Sequence, residues 1–140
     1  MVSRTSQCIK FTKGMGDGCR QMHDGIIDIT KLENTSHHFA VYEILTSQLN
    51  HIGDHVIVYK VINEYGRSYL TDDGYTWNEL KMYGLEWDDM VWPLRSLLHD
   101  YPFVYMEGDE FCTSLEDVDF DCRLKGLLVF IEAVYKEFLE

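Results

Sequence analysis

Proline and cysteine are scarce in this chain, with two prolines and four cysteines among 140 residues, and long apolar or basic runs do not occur. Each shortage closes a class. Two prolines and ten glycines exclude a collagen-like or low-complexity chain. The longest apolar stretch, Leu127-Leu128-Val129-Phe130-Ile131, falls far short of the roughly 20 residues a membrane-spanning helix needs, so no membrane partner is expected. Cys8, Cys19, Cys112 and Cys122 are separated by ten, ninety-two and nine residues, none of them the short spacing of a zinc knuckle or a redox pair. Free, mostly buried thiols are expected. The twelve lysines and arginines form no run, whereas a protein that grips a duplex clusters them to release counterions, so direct nucleic-acid binding is not expected. Met1 to Gln7 lacks the apolar stretch of a secretory signal, and the cytoplasm is the expected compartment.

What is present fits one globular domain over 1–140. A composition of 46% hydrophobic and 26% charged residues can bury roughly two-thirds of the unfolded surface at this length. The net charge of −12 is lopsided: residues 1–70 hold seven acids and seven bases, residues 71–140 hold seventeen acids and five bases. Glu107, Asp109, Glu110, Glu116, Asp117, Asp119 and Asp121 follow one another with no intervening base. Such a field repels phosphate and attracts basic surfaces. The plainer reading is a solvated face that keeps the protein soluble.

The periodicity predicts an α+β fold, a small mainly antiparallel sheet packed against helices. Ile26 to Ile29, Phe39 to Leu45 and His55 to Ile62 are rich in β-branched and aromatic residues and read as strands. Asn63 to Arg67 has turn chemistry, so Ser68 to Leu70 should return as the second arm of a hairpin. Phe103 to Met106 and Glu110 to Thr113 flank Gly108-Asp109 as a second hairpin. Between them the period changes: Thr76 caps a short helix carrying Trp77 and Leu80, and Pro93 opens another with Leu94, Leu97 and Leu98 on one face. Tyr101-Pro102 should end it. Phe120, Leu124, Leu127, Leu128, Ile131, Val134, Tyr135 and Phe138 recur at helical spacing, which predicts a long amphipathic C-terminal helix capped by Asp117 or Asp119. Val129, Phe130 and Ala133 widen its apolar circumference, to be covered by the Trp92 to Leu98 helix or by a homodimer seam.

Gly53-Asp54-His55-Val56-Ile57-Val58-Tyr59, followed by Tyr69-Leu70-Thr71-Asp72-Asp73-Gly74-Tyr75-Thr76 and then Leu80 and Gly84, resembles an uncharacterised bacterial and phage domain family. Its core is close to GD-x-I-x-x-Y and LTDDG-x-T, and the likeness spans residues 8–139. Thr30-Lys31 departs from it, standing where members tend to carry a proline. The resemblance implies a setting, a small accessory protein of phages or mobile elements in a bacterial host cell, and no activity. By residue chemistry alone, Thr71 to Gly74 is a tight turn: Asp72 can accept amide hydrogen bonds two residues on, and Gly74 can adopt positive φ. As oxygen ligands, Asp72 and Asp73 lack the further donors a divalent cation requires.

Other chemistry is thinner. Cys19 beside Arg20 and near His23 is the best-placed thiol nucleophile. His37, His38, His51 and His55 with Asp54 are the densest metal-capable group, but Gly53-Asp54 breaks any helix that would align His51 with His55. Lys13-Gly14-Met15-Gly16-Asp17-Gly18 lacks the Gly-Lys-Ser/Thr of a phosphate loop and reads as a connector. No cofactor, metal or catalytic residue is therefore assigned, and the chain reads first as a non-enzyme. The expected function is protein-protein interaction, an acidic inhibitor of a basic nucleic-acid-handling host protein such as a defence nuclease or CRISPR effector. Asp88, Asp89, Trp92, Glu107, Asp109, Glu110, Glu116 and Asp117 are its expected contact residues. The alternative is a small hydrolase or nuclease using Cys19 with His23, or a metal held by His51, Asp54 and His55.

Overall fold

A computed structural model describes residues 3–9, 25–33 and 38–140, with side chains from 25–33 and 39–140. Seven strands and three helices are present among them: β1 (Ser3–Ile9), β2 (Ile26–Glu33), β3 (His38–Leu49), β4 (His55–Asn63), β5 (Ser68–Thr71), α1 (Tyr75–Met82), α2 (Trp87–Asp100), β6 (Tyr105–Glu107), β7 (Glu110–Ser114) and α3 (Phe120–Leu139). The fold is α+β. All pairings are antiparallel, in the order β1-β2-β3-β4-β5-β7-β6. The first five strands form a meander; α1 and α2 then intervene, and the β6–β7 hairpin adds itself to β5 through β7. None of the helices is long and apolar enough to cross a membrane.

Two hairpin loops share one device. Asn50 Oδ1 accepts from the Ile52 and Asp54 amides, and Asn63 Oδ1 accepts from the Tyr65 and Arg67 amides, all at 2.9–3.0 Å. In each loop the glycine three residues on, Gly53 or Gly66, has φ near +80 to +90° and donates to the carbonyl of that asparagine. The asparagine takes over the amides that the turn removes from the ladder, and glycine supplies the left-handed residue. That fixes the register of β4 against both neighbours, and with it the placement of Asp54 and His55.

Alternation along β4 sends Val56 and Val58 into the main core, beneath the helices, and Val61 to the opposite face with Leu32 and Val41. The main core joins Ile44, Leu70 and Phe111 of the sheet to Trp77 and Leu80 of α1, Met90 and Leu94 of α2, and the apolar stripe of α3. Phe130 is wholly buried, edge-to-face with Phe111 at 5.1 Å and with Tyr101 at 5.5 Å. The surplus apolar circumference of α3 is thus largely covered from within, and Val129 is the one of its three members left exposed.

Two helix starts differ from expectation. Pro93 does not open α2; the helix begins six residues earlier at Trp87, with Pro93 inside it. An interior proline lacks the amide that would meet the Asp89 carbonyl and costs about 3 kcal/mol. Burial of Met90 and Leu94 on either side, roughly 1.5–3 kcal/mol each, offsets this, and Asp88 and Asp89 in the first turn suit the positive end of the helix dipole. Thr76 does not cap α1, because Gly74 holds the cap position and Asp72 supplies the oxygen. Asp119 does occupy the cap position of α3, with its backbone carbonyl rather than its side chain engaged.

Candidate functional site

The Thr71–Thr76 segment is the junction where β5 stops and α1 starts, and each residue in it has a separate task. Asp72, 2% exposed, accepts from the Gly74 and Phe111 amides through Oδ1 and from the Thr76 amide through Oδ2, at 3.0–3.1 Å. One carboxylate thereby caps α1 and ties it to β7. Burial pushes its carboxyl above the usual range, against hydrogen bonds from the Thr76 side chain and the three amides, which pull it down. Thr71 Oγ1 accepts from the Asp73 amide and donates to Glu110 at 2.6 Å. Gly74 has φ +80°, as turn chemistry required, and its neighbours include Asp109. Asp73 is itself left-handed at φ +58°, an arrangement aspartate tolerates better than most residues.

Asp73 faces a cavity of about 490 Å³ that is also lined by Asp54, His55, Ile57, Tyr59, Asp72, Tyr75 and Asn78. Its walls come from the β3–β4 loop, β4, the β5–α1 junction and the first turn of α1. Two stretches distant in the sequence, Gly53–Tyr59 and Leu70–Thr76, therefore meet at this one place. Burial, then the charges of Glu110 and Asp72, hold the Asp73 carboxyl above its usual value. The Tyr75 hydroxyl is pushed up to about 12, first by burial and then by Glu79. His55 Nδ1 stands 2.9 Å from the Thr46 carbonyl; a carbonyl only accepts, so Nδ1 is the donor and Nε2 is not engaged by this bond.

The expected contact residues fall into three groups. Glu107, Asp109 and Glu110 belong to the β6–β7 hairpin and lie at the Asp73 end of the sheet, where Asp109 abuts Gly74 and Glu110 bonds Thr71. Glu116 and Asp117 follow the other end of β7, about 17 Å along the strand. There Glu116 accepts from Ser68 at 3.4 Å. Asp88 and Asp89 lie on the first turn of α2, and Trp92 is 71% exposed with the Arg95 guanidinium 5.2 Å over its ring. The acids consecutive in sequence are thus split between the ends of one strand. Among the described residues, no lysine or arginine pairs with any of these seven carboxylates. Asp54, Tyr59, Asp73, Tyr75 and Asn78 were not among the expected contacts; the paired motifs were the signal that could have found them.

The alternative chemistry is not assembled by the described residues. The His51 ring packs against Tyr135 at 4.6 Å and Tyr83 at 5.3 Å, on the helix side, while His55 lines the cavity. Among the described residues no three histidine, cysteine or acidic side chains converge to hold a metal. Cys112 is buried, and burial raises its thiol to about 12, so it is no nucleophile at neutral pH. Cys112 and Cys122 are both free, as expected, the first buried and the second exposed. The Cys19–His23 pair, the Lys13–Gly18 loop and His37 lie outside the described residues. No family model, curated protein or solved structure matches the chain.

Proposed function

We propose that this protein is a non-catalytic interaction module that takes a cationic group of a macromolecular partner at the β5–α1 corner. The observation that carries the reading is the cavity lined by Asp54, Asp73, Tyr59 and Tyr75, with Glu107, Asp109 and Glu110 at the same end of the sheet. Each exposed carboxylate contributes only about 0.2–1 kcal/mol to an ion pair. Several converging on a partly enclosed space that also offers tyrosine faces contribute more, because the lysine or arginine they meet is partly desolvated and can lie over a ring. A volume of about 490 Å³ accommodates such a side chain with room for the backbone that bears it.

The partner fitting this chemistry is a basic protein, and the charge that attracts it repels nucleic acid. Taken with the resemblance to phage and mobile-element accessory proteins, the reading is an inhibitor that occupies the lysine and arginine groove of a nucleic-acid-handling host protein, such as a defence nuclease or CRISPR effector, within the bacterial cytoplasm. The test is capture from a bacterial lysate on the immobilised chain, followed by titration of the purified captured protein. The wild type should recover a basic, nucleic-acid-binding protein, with affinity falling as salt is raised to physiological strength. A variant carrying Asp73→Asn, Glu107→Gln, Asp109→Asn and Glu110→Gln should lose it. Recovery of no such protein, or capture indifferent to salt and to these substitutions, overturns the reading.

A further inference from the structure

Helix α1 stands between two cavities. Tyr75 and Asn78, in its first turn, line the acidic one; Trp77 and Lys81 line a second, of about 530 Å³, completed by Gly84, Leu85, Glu86 and Trp87. The floor is Trp77, 6% exposed, and one wall is Trp87, 49% exposed and edge-to-face with it at 5.4 Å. Gly84 turns the corner at φ +85° with nothing within 4 Å of where a side chain would begin, so the groove is open there. Beyond it, Met82, Tyr83 and Trp92 are also exposed, at 81%, 54% and 71%. Scattered exposed apolar residues are ordinary. Two exposed tryptophans five positions apart, Trp87 and Trp92, beside an open groove, are the composition of a binding anchor site.

We infer that this groove docks a short segment of a protein partner in which a bulky apolar side chain is flanked by lysine or arginine. The apolar side chain would lie against the Trp77 and Trp87 rings. Charge decides the flanks: Glu86, Asp88 and Asp89 stand at the groove and on the turn that follows it, exposed and unpaired with any lysine or arginine among the described residues. Lys81 is the one cation in the lining, and the guanidinium of Arg95 lies over Trp92. An acidic flank would meet these three carboxylates, whereas a basic one is drawn to them. The site is distinct from the β5–α1 cavity, and neither proposal needs the other.

Three tryptophans give three indole N–H signals, which makes the groove directly observable by NMR in the full chain. The probe is a short synthetic peptide with one central leucine between lysines, with a glutamate-flanked counterpart and a serine-centred, lysine-flanked one. The lysine–leucine peptide should shift the Trp77 and Trp87 signals, and both counterparts should bind more weakly. Trp87→Ala should weaken binding roughly tenfold or more. Asp88→Asn with Asp89→Asn, which keeps the groove's rings, should weaken it severalfold. The inference is overturned if no indole signal moves, if the glutamate peptide binds as well, or if Trp87→Ala is without effect. It is overturned equally if the signals follow protein concentration alone, the mark of a second copy. Shifts confined to Asp73, Glu107 and Glu110 would overturn it while leaving the proposed function standing.

Discussion

The carboxylate of Asp72 and the amide of Phe111 are 39 positions apart in the chain and 3.0 Å apart in the fold. That bond closes the gap between the meander and the segment added after the helices. The same carboxylate also holds the Gly74 and Thr76 amides, so removing it strands three donors in a place with little water. Each unsatisfied buried donor costs about 1–3 kcal/mol. Asp72→Ala is expected to destabilise by about 3 kcal/mol or more in urea unfolding. Asp72→Asn should fall between, since its amide nitrogen cannot accept. A loss under about 1 kcal/mol for the alanine variant would mean that the junction is held by packing and not by this carboxylate.

The packing of Gly126 against Phe103 makes a second case. An added Cβ at Gly126 would stand 2.6 Å from Phe103 Cε2, inside contact distance. Glycine to alanine in a helix interior normally gains about 1 kcal/mol. Here the gain has to be set against displacing a ring that packs beside Tyr101 and under Arg123, an overpacking cost of roughly 1–3 kcal/mol. Gly126→Ala should therefore be neutral to destabilising, and Gly126→Ala with Phe103→Leu should recover the lost helix propensity. Thermal unfolding of the four members of that cycle decides it: additive effects would remove the ring as the cause.

Much of this architecture was legible because its signals are local. Asn63 to Arg67 reads as a turn from its own residues, Gly108-Asp109 as a hairpin tip, and α3 from a stripe that recurs over five turns. What escaped depends on contacts distant in sequence. Pro93 looks like a first helical residue until Met90 is found wholly buried one turn earlier, a burial strong enough to carry the helix through a proline. Thr76 looks like a cap because nothing local reveals that Asp72 is pinned by Phe111. The acidic run shows how sequence order misleads about surfaces: a strand carries its two ends apart, so Glu110 joins Thr71 while Glu116 joins Ser68. The cavity was half visible, as two motifs whose meeting required the β4–β5 register.

Acidity should be tolerated unusually well. Asp72 and Asp73 are both held above their ordinary value of 3.8, chiefly by burial. The native state therefore binds their protons more tightly than the unfolded chain does. Stability contributed by these groups rises as pH falls through their raised native values, and the penalty is present in full above that window. Protonation also relieves the self-repulsion of a chain carrying −12. The unfolding midpoint should hold or rise as pH is lowered from neutrality toward 3.8, and Asp73→Asn should flatten that slope. A steady decline over the same range, as expected of carboxylates paired with cations, would contradict it.

Asp73 itself brings stability and binding into opposition. It occupies a left-handed backbone, its charge is close to those of Glu110 and Asp72, and it faces a cavity. Asparagine fits the same backbone with no charge to repel. If Asp73 is there to meet a cation, Asp73→Asn should raise stability slightly, by up to about 1 kcal/mol, while weakening capture of a basic partner. Asp73→Gly, which removes the same charge and suits the left-handed backbone, should give the same separation. The two measurements must move in opposite directions for the reading to hold. Should Asp73→Asn destabilise the fold, its carboxylate would be serving the β5–α1 turn instead, and the cavity would lose the side chain on which its affinity for a cation depends.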